Sequence, residues 1–165
     1  MALVRDGVAV EDDFAALADD MALPEAGGVI VSLARFQSER DALLASNRPL
    51  GVRLASDQSP EQLGDDVHRL SVVALEFPAF RDGRAFSHAR ILRTRMAYKG
   101  EIRAVGHFLR DQILFMARVG VNAFDLPAVL SPADVAEAMA ELSLVYQPSV
   151  DGKPTIRDLR KKRTT

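Results

Sequence analysis

From residue 28 onward, short apolar runs alternate with segments that carry helix-start signals, and this alternation constrains the fold more than any other feature. The runs are almost continuously apolar and rich in β-branched residues, which is typical of strands in a parallel sheet. Ser59-Pro60 is typical of a helix start, Ser38 followed by Asp41 predicts another, and the first signal recurs at residue 131. The predicted strands are 28–33, 50–54, 71–77, 102–106 and 121–124, and the predicted helices are 39–46, one from 60, 84–97, 107–119 and one from 132 to about 144.

These repeated βα units predict an α/β fold with a mainly parallel sheet, and we expect helices to cover both of its faces. Five units are too few for a closed eight-stranded barrel, which takes about 250 residues, so an open sheet and a partial barrel are both compatible with the pattern. Near the start, Asp6-Gly7 separates two short apolar runs and predicts a small N-terminal hairpin. Residues 14–28 are less regular, and we expect a short helix before Pro24 followed by a loop.

A chain of 165 residues has room for one domain, which we place at residues 1–146. Residues 147–165 contain two prolines, a glycine and the basic run Arg160 to Arg163, and they are predicted to form a disordered basic tail. Such a tail can contact nucleic acid non-specifically. The chain has no tryptophan, two tyrosines and no nucleic-acid motif, however, so nucleic-acid binding is disfavoured.

Several classes of site lack the residues that they need. The chain has no cysteine, which excludes disulfides, thiolate metal sites and a cysteine nucleophile. Its three histidines stand about twenty residues apart without a carboxylate cluster, so we expect no metal site. No apolar run is long enough to span a membrane, and charged residues interrupt the start where a signal peptide would be apolar. We therefore expect a cytoplasmic protein without a membrane partner.

Charge is distributed unevenly along the chain. Residues 81–118 contain nine basic and three acidic side chains, and the last fifteen residues contain six basic and two acidic ones. Because the whole chain carries a formal charge of −2, the remainder is strongly acidic. An anionic ligand or an acidic partner surface is the simplest use of the basic segment. The alternative is a solvated helix face.

The loop after the third predicted strand is the first candidate site. In parallel α/β sheets, ligands bind beyond the carboxyl ends of the strands, where helix N-termini present free N–H groups. Arg81, Asp82, Gly83, Arg84 and Ser87 occupy this place and could form an oxyanion or phosphate cradle. In the alternative interpretation, the two arginines bind Asp82 and cap the helix.

The loop after the fourth predicted strand is the second candidate site, because a glycine there lets the backbone approach a ligand closely. The candidates for proton transfer are Glu76, His107 and Asp111, and the further candidates for anion binding are Arg93, Arg103, Gly106, Arg110 and Gln112. Glu76 is the only acid in its apolar strand, so it either faces a site or pairs with a neighbouring arginine. His107 has the alternative role of a polar residue at a helix start.

The segments 75–87, 89–93 and 98–106, together with Asp111 and Gln112, resemble a bacterial family known as domain of unknown function 934. The resemblance extends to residues 50–52 and 120–124. The family's motif positions correspond to Glu76, Phe77, Pro78, Asp82, Gly83, Arg84, Ser87, Arg90, Arg93, Gly100, Glu101, Arg103, Gly106, Asp111 and Gln112. This chain departs from the pattern at His107, where we expect an aspartate, and the departure weakens His107 as a candidate catalyst.

Members of that family are commonly described as oxidoreductases or accessory proteins of assimilatory sulfite reduction, because they are encoded beside sulfite reductase. The resemblance implies a protein of sulfur assimilation that binds sulfite, another oxyanion or a phosphate-bearing ligand at its arginines. A redox reaction would need a noncovalent flavin or another redox partner, because the chain has no cysteine. The alternative is a non-catalytic accessory or assembly subunit that docks on sulfite reductase through residues 81–118.

Two weaker interpretations stay open. The βα pattern alone suggests, by analogy, a domain that isomerises a phosphate-bearing ligand. A homo-oligomer is also compatible with the sequence.

Overall fold

A computed structural model describes residues 2–162, and its strands form a single eight-stranded sheet. The strands are β1 Leu3–Arg5, β2 Val8–Val10, β3 Phe14–Ala16, β4 Gly28–Ser32, β5 Leu50–Leu54, β6 Val72–Phe77, β7 Glu101–Gly106 and β8 Ala123–Asp125. The helices are α1 Leu33–Ser38, α2 Arg40–Ala45, a 3₁₀ helix Pro60–Arg69, α3 Arg84–Thr94, α4 Arg110–Arg118, α5 Pro132–Ala140 and α6 Ile156–Lys162. The five predicted strands all occur, with ends within two residues of the prediction.

The strand order is β2-β1-β8-β7-β6-β5-β4-β3. Every neighbouring pair from β3 to β8 is parallel, whereas β1 runs antiparallel to both β8 and β2. The mainly parallel sheet is therefore confirmed. The hairpin is confirmed as well, because Asp6 and Gly7 both have positive φ, the conformation that a tight turn between twisted strands requires.

The link between β2 and β3 explains why the sheet curls. These strands form opposite edges of the sheet, yet only residues 11–13 separate them. Eight strands laid flat at ~4.8 Å spacing would place the edges about 34 Å apart, whereas the steps from Val10 to Phe14 reach about 15 Å at most. The sheet is accordingly open and strongly curled, a half-barrel. Of the two predicted arrangements, the partial barrel is the one that occurs.

The helices pack on one face of the sheet. Their apolar side chains share the main core with strand residues such as Val52 and Val73. Right-handed crossovers between strands that are neighbours in order, from β4 to β8, place each connecting helix on the same side. On the other face Ile30, Val72 and Ala74 form a separate cluster, and no helix residue of the described chain packs against it. The expectation that helices cover both faces is therefore wrong. Across the described residues, no helix combines the length and apolar character needed to cross a membrane.

Two local predictions are wrong. Phe14–Ala16 forms a strand parallel to β4 and not the expected start of a helix, because an edge of the sheet was available to a short apolar segment. Ser38 does not cap a helix, since its hydroxyl donates to the carbonyl of Arg35 at the end of α1. Ser32 is the N-cap of α1, where its hydroxyl accepts from the Arg35 backbone N–H at 3.0 Å.

The segment after residue 146 carries structure as far as it is described. Val145 and Thr155 form an isolated bridge, and α6 follows. Arg118 binds the segment through an ion pair with Asp151 and a hydrogen bond to the carbonyl oxygen of Gln147. The division at residue 146 stays a prediction, and Arg163 of the predicted basic run lies outside the described residues.

Candidate functional site

The helix-free face of the half-barrel encloses a cavity of about 390 Å³, here called the inner cavity. It reaches the carboxyl ends of the central strands, because the last residues of β7 and β8 line it. In (β/α) barrels, ligands bind at this end. The lining residues are Leu3, Asp12, Phe14, Ala16, Ile30, Arg53, Ala74, Glu76, Arg103, Val105, Gly106 and Asp125. Glu76, Arg103 and Gly106 are the predicted site residues that the fold brings together here.

The strand register places arginines in one row of the cavity lining and carboxyl groups in the next row. Arg53 is opposite Ala74, and Ala74 is opposite Arg103, so two arginines occupy one row on alternate strands. The next row contains Glu76 opposite Val105 of β7. Asp125 follows the partner of Ala104 and lies in that same row on β8. The small Ala74 between the arginines leaves room for the cavity between them.

Arg103 is the most buried charged group of the inner cavity, with 2% of its side chain exposed. Its Nε donates to Glu101 at 2.6 Å, its Nη1 donates to Asp12 at 2.8 Å, and its guanidinium lies 5.7 Å from the centre of the Phe14 ring. Its Nη2 has no hydrogen-bond partner among the described residues. Burial lowers the pKa of Arg103, but the hydrogen bonds to Asp12 and Glu101 raise it by more, so the pKa lies above its ordinary value. The side chain of Arg103 is therefore positively charged and held in place, and its Nη2 is a donor without an acceptor among the described residues.

The carboxylates of the inner cavity are less firmly bound. Glu76 lies 3.9 Å from Arg53, with 35% and 55% of the side chains exposed, so it both faces the cavity and pairs loosely with an arginine. Asp125 makes no side-chain hydrogen bond or ion pair with the described residues. Burial raises the pKa of its carboxyl above the ordinary value, against the opposing effect of Arg103. Two carboxyl groups with unused acceptor positions therefore border the cavity.

The loop between β6 and α3 forms a second cluster, here called the outer rim. The Nε of Arg84 donates to Asp82 Oδ1 at 3.0 Å, and its Nη2 donates to Asp82 Oδ2 at 2.6 Å and to Ser56 Oγ at 2.8 Å. The hydrogen bonds from Arg84 hold the pKa of Asp82 well below its ordinary value. Asp82 also accepts from the backbone N–H of Arg84, the first residue of α3. The interpretation in which Arg84 binds Asp82 beside the helix start matches this geometry.

Gln112 connects the two predicted loops. Its side chain accepts from the backbone N–H of Leu109 at 3.1 Å and donates to the carbonyl of Phe80 at 3.4 Å. Gly106 has φ +101°, and a Cβ there would come within 2.6 Å of the Phe77 carbonyl oxygen. The strand ends and the loops thus fit together without space for a side chain at residue 106.

The remaining predicted site residues lie elsewhere. Arg93 donates to the carbonyls of Tyr98, Gly100 and Gly120 near the amino ends of β7 and β8, at the opposite end of the strands from the two loops. Arg110 forms ion pairs with α5 through Glu137 and Glu141. The exposed residues Arg81, Gly83, Ser87, His107 and Asp111 lie in the two loops and the first turns of α3 and α4. Gly83 is the N-cap of α3, and the side chains of the other four make no hydrogen bond or ion pair within residues 2–162.

Internal contacts occupy much of the basic segment 81–118. Six of its nine basic side chains bind groups of the same chain, which leaves three without such a partner among the described residues. The six are Arg84, Arg93, Arg95, Arg103, Arg110 and Arg118, and the three are Arg81, Arg90 and Lys99. The local excess of positive charge in the sequence is therefore not an equally large basic surface. Within the described chain, no group of three or more histidine, aspartate or glutamate side chains could hold a metal ion.

Several residues of the inner cavity and the outer rim were not predicted from the sequence. Arg53 and Asp125 line the inner cavity, and a charged residue in or at the end of a short apolar strand was the signal that could have found them. Asp12 carries no comparable signal, because it precedes a strand that was not predicted. At the outer rim, Ser56 lies two residues after the end of β5, and His88 lies four residues after Arg84 on α3. Burial and the nearby Arg84 lower the pKa of His88.

Comparison with known proteins identifies a family. A search of curated proteins found no match to this chain. The family described as "Bacterial protein of unknown function (DUF934)" matches residues 51–156, nearly two thirds of the chain. The matched range includes Arg53, Glu76, Arg103 and Asp125, while Asp12 precedes it. The chain therefore belongs to this bacterial family of unknown function.

Proposed function

We propose that this protein binds a small oxyanion or a phosphate-bearing ligand in the inner cavity and works in the cytoplasm in assimilatory sulfur metabolism, in association with sulfite reduction. The observation that carries the binding proposal is Arg103, a buried cation whose Nη2 has no partner in the described structure. A buried donor without an acceptor is costly, and an anionic oxygen would satisfy it. The association with sulfite reduction is supported by what family members are commonly described as doing.

The neighbouring groups fit a bound anion. Arg53 lies in the same row as Arg103 and is 55% exposed, so its guanidinium can turn toward a ligand. Asp12 occupies one side of the Arg103 guanidinium and competes with any added anion. If the protein is an enzyme, Glu76 is the candidate for proton transfer inside the cavity. His107 and Asp111 do not line the cavity. The electrons of a redox step would come from a noncovalent flavin or a partner protein.

Calorimetric titration at constant ionic strength tests the proposal, with sulfite, sulfate, phosphate and FMN as separate ligands. We expect saturable binding of at least one of them. Arg53→Gln should weaken it about three- to tenfold, because a partly exposed charge-assisted contact is lost. Asp12→Asn should strengthen it, because the competing carboxylate is removed. Asp13→Asn is the matched control and should leave the affinity unchanged.

A variant of Arg84 at the outer rim distinguishes the two possible positions of the anion, which are the inner cavity and the outer rim. If Arg84→Ala abolishes binding and Arg53→Gln does not, the ligand binds at the rim and the inner-cavity proposal fails. Arg95→Ala, at the opposite end of α3, controls for the loss of a positive charge. A lack of any saturable binding would also contradict the proposal.

The alternative function is a non-catalytic accessory subunit that docks on sulfite reductase. The observation that favours it lies where the two loops meet. Phe80 and Leu109 are 53% and 47% exposed, Gln112 holds their backbones together, and Arg81 is exposed beside Phe80. Exposed apolar side chains beside an arginine are typical of docking surfaces.

Co-purification with sulfite reductase tests the accessory role. The double variant Phe80→Ser, Leu109→Ser should lose the complex while its fold, followed by circular dichroism, is retained. Tyr146→Ser removes an apolar side chain that is 83% exposed in the segment after α5, and it is the matched control. Loss of the complex in both variants, or in neither, would contradict docking through this surface.

A further inference from the structure

The charges that line the inner cavity suit a ligand with both a negative and a positive group better than a ligand that is only negative. The lining contains two arginines, Arg53 and Arg103, and three carboxyl groups, Asp12, Glu76 and Asp125. Asp12 is bound to Arg103, and the other two carboxyl groups lie in the next row toward the carboxyl ends of the strands. A purely anionic ligand would be held by the arginines and repelled by Glu76 and Asp125.

We infer that the inner cavity takes a small zwitterion of the α-amino-acid type, with its anionic group at Arg103 and its ammonium group between Glu76 and Asp125. This inference rests on the proposed function, since it assigns a chemical class to the ligand of that same cavity. Nε and Nη1 of Arg103 donate to Glu101 and Asp12, which leaves Nη2 as the donor for the ligand's anionic oxygen. Nη2 is covered by neighbouring groups in this structure, so these groups must shift when the ligand binds.

Glu76 and Asp125 provide the other half of the site. Both face the cavity from the strands on either side of β7, in the row of Val105. Strands two apart are separated by about 10 Å, so an ammonium group between the two carboxyl groups can donate to either. Neither side chain accepts a hydrogen bond from the described residues, and an ammonium group has three donors to offer. The two carboxyl groups therefore have a use that an oxyanion alone does not explain.

The cavity also has a suitable size and an apolar wall. Its volume of about 390 Å³ lies within the range of small-molecule sites. Leu3, Phe14, Ile30 and Val105 form its uncharged surface, against which a short apolar or weakly polar side chain of the ligand can pack.

Isothermal titration of the full chain with the standard L-α-amino acids tests the inference. Each amino acid that binds is compared with its amine lacking the carboxylate and its acid lacking the amino group. We expect each truncated compound to bind about tenfold or more weakly, because it leaves one charged half of the site unsatisfied. Glu76→Gln and Asp125→Asn should each weaken the amino acid about tenfold and leave the deaminated acid equally or more tightly bound.

Two controls keep the result interpretable. Glu61→Gln changes a carboxylate on the 3₁₀ helix, outside the cavity, and should leave both affinities unchanged. Thermal unfolding of every variant shows whether it is folded at the titration temperature, and Glu76→Asp should recover part of the amino-acid affinity if the carboxylate acts on the ligand.

The outcomes separate this inference from the proposed function. If sulfite or phosphate binds and no amino acid does, or if Glu76→Gln strengthens every ligand alike, the zwitterion assignment is wrong and anion binding stands. If neither class binds, both fail. If amino acids bind and depend on Arg53, Glu76 and Asp125, the zwitterion assignment is supported, and the anion proposal is supported as well only if sulfite, sulfate, phosphate or FMN also binds.

Discussion

At the residue scale, Gly106 shows how one backbone conformation holds the two candidate loops in place. Its φ of +101° is strained for any residue with a Cβ, and the added carbon would meet the Phe77 carbonyl oxygen. The next residue, His107, donates its backbone N–H to that same oxygen at 2.7 Å. The end of β7 is therefore fitted to the end of β6 by the absence of a side chain.

We expect Gly106→Ala to lower the free energy of unfolding by about 1–3 kcal/mol, the usual cost of a strained backbone conformation. Gly83→Ala is the matched control, because a Cβ there meets no atom within 4 Å and its φ is an ordinary −90°. Urea unfolding of both variants measures the difference. Equal stability of the two variants would show that the Phe77 contact can relax without cost.

At the element scale, α5 begins at the helix start that the sequence predicted at Ser131, and reciprocal hydrogen bonds form there. Ser131 accepts from the Asp134 backbone N–H at 3.3 Å, and Asp134 accepts from the Ser131 backbone N–H at 2.7 Å. The hydrogen bonds from the Ser131 hydroxyl and backbone lower the pKa of Asp134 from its ordinary 3.8. A lowered carboxyl pKa contributes stability above the ordinary pKa, and that stability is lost as the pH falls through the lowered value.

We expect Ser131→Ala to cost about 1 kcal/mol at neutral pH, which corresponds to a fall of about 2–4 °C in Tm. The difference from the wild type should shrink as the pH falls below about 3.8, because protonated Asp134 no longer favours the capped start. Calorimetry at pH 7 and at acidic pH measures both effects, with Ser71→Ala, an exposed serine before β6, as the control. If the stability difference between Ser131→Ala and the wild type is the same at every pH, the role given to Asp134 is wrong.

At the scale of the whole molecule, ion pairs inside the half-barrel join distant parts of the sheet. Arg5 on β1 binds Glu101 on β7, and Arg103 binds both Glu101 and Asp12 of the segment that links the two edge strands. Glu101 is 9% exposed, so removal of Arg103 leaves a buried carboxylate with Arg5, which is 31% exposed, as its one remaining cationic partner among the described residues.

We expect Arg103→Met to destabilise the protein by about 3 kcal/mol, the lower end of the range for a broken buried pair, because Arg5 still binds Glu101. The double variant Arg103→Met, Glu101→Leu should lose less, because replacing a buried pair costs less than breaking it. Urea unfolding of the single and double variants measures the difference, and Arg95→Met, an exposed arginine outside the interior, is the control. A double variant less stable than Arg103→Met would contradict this account of the interior.

The hairpin turn at Asp6-Gly7, the helix starts at Ser59 and Ser131 and the apolar strands depend on contacts between residues no more than four apart in the chain. The sequence by itself therefore determined the α/β class and the position of most elements. The strand Phe14–Ala16 was missed because its propensity is weak and the neighbouring sheet edge decides its conformation. The pairing of Arg84 with Asp82 was foreseen as an alternative, because the two residues are close in sequence.

Only the tertiary structure decided which charged residues meet. Arg103 and Asp12 are 91 residues apart in the chain, and Arg5 and Glu101 are 96 apart, so no local pattern connects them. The sequence offered Arg93, Arg103 and Arg110 alike as candidates for anion binding, whereas the strand register places Arg103 in the inner cavity and the helix packing places the other two elsewhere. The physical reason is that the secondary structure of a short segment depends on nearby backbone groups. The curl of the sheet depends on all eight strands together, and it brings side chains from β5 to β8 and from the segment between β2 and β3 around one cavity.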